Sequence, residues 1–184
     1  MKKTNTKMIV MVGMFAAVLA VLSQISIPMP SGVPVTLQTF AVALTGFVLG
    51  WKYGLMATGV YILVGAIGVP VFSGFSGGLG VLVGKTGGFI WGFLFMAGLC
   101  GVRYVVKNKV VSMICGMVGL AICHILGILQ FQFLAEMGFT EAALLVSVPY
   151  LLKDVISVVL AYIAAEILER SFRAANISLY EKRA

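Results

Sequence analysis

Charge is what this sequence has least of: 10% of its 184 residues are Asp, Glu, Lys or Arg, only six of them are acidic, and histidine occurs once. Globular chains carry about 25% charged and roughly 45–50% apolar residues. Here 61% are hydrophobic and the mean hydropathy is +1.10, more apolar surface than a water-soluble fold of this size could cover. The three cysteines, Cys100, Cys115 and Cys123, are odd in number and lie in apolar stretches, which excludes a disulfide framework and reads as core packing. The lone His124 has no second His, Cys or carboxylate at ligand spacing, so no metal set is formed, and it reads as a helix contact rather than a ligand. The net charge of +7 comes from basic residues scattered in ones, twos and threes beside apolar runs, which excludes a nucleic-acid surface and reads as topology signals.

What remains is apolar run after apolar run. They fall at about 7–27, 36–51, 53–69, 86–103, 110–133 and 147–169. The expected fold is an all-α integral membrane protein of six transmembrane helices in one domain over residues 1–184, embedded in a lipid bilayer with no room for a soluble catalytic domain. The first run is too long for a signal peptide and continues into Ile-Pro-Met-Pro, so it is expected to stay as a helix. Pro28, Pro30, Gly32 and Pro34 force an extended connection after it. The connection from Gly68 to Gly88 is apolar but too glycine-rich for a stable helix, and such backbone at membrane depth must be buried in protein or line a cavity.

With the N-terminus inside, Lys2, Lys3, Lys7, Lys52, Arg103, Lys107, Lys109, Arg170, Arg173, Lys182 and Arg183 all fall on the cytoplasmic side, eleven of the thirteen Lys and Arg. That asymmetry predicts a plasma-membrane protein with both termini in the cytoplasm. The exceptions, Lys85 and Lys153, lie on the outer half, and Asp154 stands beside the second. Charges inside spans are expensive and face a bundle interior or cavity. Adjacent helical positions point about 100° apart, so Lys153 and Asp154 are expected to engage different partners, an ammonium for a carboxylate and a carboxylate for amide-like N–H groups. Thr36, Gln38 and Thr39 open the second span and supply either neutral hydrogen bonds to a ligand or a helix cap. Lys85 and Thr86 lie in Gly-Lys-Thr, but the glycine that a phosphate loop needs is Leu79, so no nucleotide site is formed. Gly13, Ala16, Ala17 and Ala20 repeat small residues at i and i+4, which permits close helix approach.

Three segments together carry a resemblance: I-S-I-P-M-P-S-G-V-P-V-T-L-Q at 25–38, G-V-P-V-F-S-G-F-S-G-G-L-G-V-L-V-G-K-T-G-G-F at 68–89 and P-Y-L-L-K-D-V-I-S at 149–157. Over nearly its whole length the chain resembles the BioY family, the biotin-binding S-components of energy-coupling factor (ECF) transporters. The resemblance implies an S-component bundle, biotin as transported ligand and no cofactor. It also implies a transmembrane coupling subunit seated on the Ala16 and Ala20 face, and two cytosolic ATPases as further partners. The substrate would be held by Lys153, Asp154, Gln38, Thr36, Lys85 and Thr86. The family usually has proline where Lys85 stands and P-G-D-L-I-K over positions 152–157. Here the aspartate is kept as Asp154, the family's lysine position is Ser157, and Lys153, alone or with Lys85, is expected to take its part.

Two other classes compete. A self-sufficient secondary carrier for a small carboxylate or vitamin would show repeated halves and a charged relay; no clear repeat links residues 1–90 and 91–184. An intramembrane enzyme would need a nucleophile with its base, or a metal set, which one isolated histidine does not supply.

Overall fold

Backbone in hydrocarbon must satisfy its own N–H and C=O groups, so apolar runs of this length become helices. A computed structural model describes residues 6–106 and 108–175. Helix α1 is Thr6–Ser23, α2 Gln38–Ala66, α3 Leu79–Val83, α4 Gly87–Cys100, α5 Lys109–Ala135, α6 Phe139–Val146 and α7 Val148–Ala174. The extended connection after α1 pairs strands β1 (Ser26–Ile27) and β2 (Val35–Thr36) antiparallel, with Ser26 opposite Thr36.

Helix α2 is two helical arms joined at a non-helical residue. Gly50 sits at φ 70°, ψ 172°, a left-handed setting that favours glycine, and the chain folds back there. A methyl on Gly54 would stand 3.1 Å from the Gly46 Cα, and the Gln38 amide donates to the Tyr61 hydroxyl at 2.7 Å. Both pairs are centred on Gly50, so α2 is a helical hairpin whose two arms occupy the second and third expected spans. Helix α4 continues through a 3₁₀ turn, Gly101–Tyr104. Helices α6 and α7 meet at Ser147 with a 53° bend, so the sixth span is entered by a short tilted helix. With the α2 arms taken separately, six apolar helical segments make up the bundle, as the sequence predicts.

The core runs through its centre, from Leu19 through Phe47, Leu49 and Tyr61 to Met96 and Val158. Helices α4 and α5 pack closely because Gly92 lies on Cys123, where an added methyl would stand 2.6 Å from the Cys123 Cα. Cys100, Cys115 and Cys123 are free thiols, the first and last buried.

The ends of the bundle differ. Lys7, Lys52, Arg103, Lys109, Arg170 and Arg173 gather at one end: Gly101 packs on the Gly50 turn, and Arg103 binds Glu166 and Glu169 of α7 at 2.6 and 2.5 Å. The β-ribbon and the 68–86 connection cover the other. Lys2, Lys3, Lys107, Lys182 and Arg183 lie outside the described residues.

Candidate functional site

The 68–86 connection is glycine-rich and yet tied down. Phe72 is buried against Tyr61, with ring centroids 5.5 Å apart, and Ser23 donates to the Val71 carbonyl. Gln24 reaches the same carbonyl at 3.0 Å and accepts from the Phe75 amide at 2.9 Å. At the far end Gln130 donates to the carbonyls of Leu82 and Gly84 at 2.9 and 2.7 Å. The connection is not wholly irregular, since it holds a 3₁₀ turn at Ser73–Phe75 and the five-residue α3.

Beneath this cover and the β-ribbon lies a cavity of about 690 Å³, within the range of small-molecule sites. All six residues expected to meet a substrate, Thr36, Gln38, Lys85, Thr86, Lys153 and Asp154, lie on its wall. Phe89, Ile90 and Phe93 of α4 give it an apolar side, with Leu120 and Cys123 of α5 behind.

Its inner pole is polar. Asp154 is 5% exposed and places Oδ2 3.3 Å from Nε2 of His124, whose Nδ1 lies 2.8 Å from the Ser147 hydroxyl. The Lys153 ammonium touches Oδ1 in an ion contact, but its aligned hydrogen bond goes to the Thr36 carbonyl at 2.9 Å. Oδ1 is thus held by the Lys153 ammonium and Oδ2 by His124. Lys153 and Asp154 therefore do pair, contrary to the expectation from their adjacent positions: the flexible four-carbon stem of lysine folds back across the 100° between them.

Thr36 and Gln38 answer the choice between cap and ligand contact. The Thr36 hydroxyl accepts from the Gln38 amide N–H at 3.2 Å, and the Gln38 side chain donates to Tyr61. Thr36 thus holds the first turn of α2 and the Gln38 side chain ties the two arms together, and both also lie on the cavity wall. Lys85 stands elsewhere, 5.9 Å from the centre of the Phe131 ring. Phe131 follows His124 on α5 by seven residues, which places Lys85 roughly 10 Å along the helix from the His124–Asp154 pair.

Two wall residues were not singled out as substrate contacts. His124 is indeed a helix contact, joining α5 to α7, but it also faces the cavity. The signal was available: a histidine and an aspartate each buried in apolar spans are each other's cheapest partner. Tyr150 stands one turn before Asp154 and donates to the Val33 carbonyl at 2.6 Å, clamping the β-ribbon over the mouth. Among the described residues no group of three or more His, Cys, Asp or Glu could hold a metal ion.

The small-residue face of α1 divides in two. Gly13 and Ala17 are exposed, whereas Ala16 is 8% exposed and belongs to the core, and Ala20 is half-buried against it. The outward face thus runs through Gly13 and Ala17. Ala16 is turned inward because Met8, Met11, Phe15 and Leu19 set the buried stripe on its side of the helix.

An apolar bundle with one covered, polar-ended cavity defines a membrane protein built to hold a small solute. Residues 1–174 match the sequence profile of the BioY family, and the chain belongs to that family. It is 38% identical to the biotin transporter BioY of Thermotoga maritima over 86% of this chain and 94% of the relative. It is 37% identical to the probable biotin transporter BioY of Pyrococcus horikoshii, over 90% and 98%. Its fold is similar to the 2.1 Å crystal structure of the S-component for biotin from an ECF-type ABC transporter, with a TM-score of 0.83 at 22% identity over 92% and 94% of the two chains.

Proposed function

We propose that this chain is the substrate-capture subunit of an ECF-type vitamin importer and binds biotin in the covered cavity. The observation that carries the ligand is the Asp154 carboxylate, buried on the cavity wall with His124 on one oxygen and the Lys153 ammonium on the other, and with acceptor capacity beyond those two contacts. A carboxylate is acceptor-only and calls for N–H donors, which the ureido ring of biotin supplies. Phe89 and Phe93 face the thioether ring and the valeryl chain. Lys85, roughly 10 Å away, takes the carboxylate, because Lys153 is already held at the ureido end by Thr36 and Asp154. Gln38, Thr36 and Thr86 complete the wall.

The Lys- and Arg-rich end then faces the cytoplasm and the cavity faces outward in the bacterial plasma membrane. A transmembrane coupling subunit seats on the Gly13 and Ala17 face, and two cytosolic ATPases supply the energy. Names of relatives support this reading over a self-driven carrier or an enzyme.

Calorimetric titration of the detergent-purified protein with biotin, a carboxyl-blocked biotin amide and an unrelated vitamin tests it. One-to-one binding of biotin, weaker for the amide and absent for the other vitamin, is the expected result. Absence of biotin binding by well-folded protein would overturn it.

A further inference from the structure

The basic end holds a second cavity, of about 370 Å³, between the start of α5 and the end of α7. Donors on its wall go without a hydrogen bond, two of them on Arg103 and Ser112. Arg103, whose side chain is 10% exposed and whose guanidinium lies 5.1 Å from the centre of the Tyr162 ring, spends Nη2 on Glu166 and Glu169 while its buried Nη1 makes no hydrogen bond. Ser112, 1% exposed, leaves its hydroxyl unbonded. A buried donor left unsatisfied costs about 1–3 kcal/mol, so two on one cavity wall point to an acceptor from outside the chain.

The surroundings say what kind. Arg103, Lys109, Arg170 and Arg173 face the cavity against only Glu166 and Glu169, a surplus of two positive charges. The N-terminus of α5 opens there, with Asn108 capping Val110 and Val111, and a helix N-terminus favours anions. Adjoining it is an apolar groove of about 600 Å³ that shares Lys109 and Tyr162 with the cavity and is lined along α5 by Met113, Ile114, Met117, Val118 and Ala121. From Lys109 to Ala121 it runs roughly 18 Å, slightly more than half of a hydrocarbon core of about 30 Å.

We propose that cavity and groove together bind one anionic phospholipid, its phosphate at Lys109, Arg170 and the free donors, and one acyl chain along α5. A free phosphate shares the headgroup chemistry but would leave the groove empty; the groove commits the site to lipid. Basic pockets between helices at the cytoplasmic surface suit such headgroups. The proposal rests on the functional reading only in placing this end at a membrane surface.

The test is native mass spectrometry of the full chain in detergent with phosphatidylglycerol or phosphatidylcholine of matched acyl chains. Thermal melts with each lipid and with inorganic phosphate, and biotin titration on the same samples, run alongside. Phosphatidylglycerol is expected to bind at least about fivefold more tightly, falling about fivefold per charge removed in Lys109→Gln and Arg170→Gln, and to weaken in Met117→Trp, which fills the groove. Equal retention of both lipids, retention unchanged in these variants, or stabilisation by inorganic phosphate equal to that by phosphatidylglycerol would overturn it. These residues lie outside the biotin cavity, so a failure of biotin binding leaves the lipid result readable.

Discussion

Asp154 and His124 meet across the α5–α7 interface with Oδ2 3.3 Å from Nε2, both side chains 7% exposed. The contact holds one carboxylate oxygen and aims the other, and Ser147 on the far ring nitrogen holds the imidazole in turn. A fixed acceptor keeps its desolvation cost out of the binding step, which is how preorganised sites gain affinity.

Asp154→Asn exchanges a charged acceptor for a neutral amide. Hydrogen bonds to charged groups contribute about 1.5–3 kcal/mol, so biotin affinity is expected to fall at least about tenfold in calorimetry, while circular dichroism stays helical. Unchanged affinity would remove Asp154 from the site.

The two lysines are separated by pairing variants with ligands. Lys85→Gln is expected to weaken biotin and leave the biotin amide unchanged, because the lost partner is a carboxylate. Lys153→Gln is expected to weaken both, through the Asp154 and Thr36 contacts it stabilises. The reverse pattern would give the carboxylate to Lys153.

On α1, Gly13→Leu or Ala17→Leu adds bulk to an exposed face and is expected to block co-purification with a coupling subunit while biotin still binds. Ala16→Leu overpacks the core instead, at about 1–3 kcal/mol, and is expected to lower the melting temperature. Intact assembly in both exposed-face variants would move the docking surface off this face of the helix.

At the hairpin, Gly50→Ala forces a side chain into φ 70°, a strain of about 1–3 kcal/mol. The melting temperature is expected to drop by several degrees. No shift would mean that the turn relaxes without cost.

Gln130→Ala removes both hydrogen bonds to Leu82 and Gly84. Its expected effect is faster biotin release, read by chase of bound ligand, with a smaller change in association; an unchanged release rate would show that Gln130 does not hold the cover.

The bundle was legible in the sequence because membrane helices announce themselves by length and hydropathy, and outer-half charges by their cost. Lys85, Lys153 and Asp154 stood out for that reason, Thr36, Gln38 and Thr86 came with the family resemblance, and all six reach one cavity. What escaped depends on geometry with no sequence period. The Lys153–Asp154 contact needs a side-chain torsion, and the fold-back at Gly50 needs a single left-handed residue. The inward turn of Ala16 is set by which neighbours win the core: small residues at i and i+4 mark a stripe, but a helix with an apolar surface all round does not say which side of the stripe is buried.

Helix α1 is a strut between two tasks. Its middle offers Gly13 and Ala17 to the outside, and two turns further on Ser23, with Gln24 beyond the last turn, grips the carbonyl of Val71 in the cavity cover. No joint separates the two, since the helix runs unbroken from Thr6 to Ser23. A protein seated on α1 would therefore pull on the cover. By linkage, an open or shut cover changes how firmly that protein holds α1 by the same free energy.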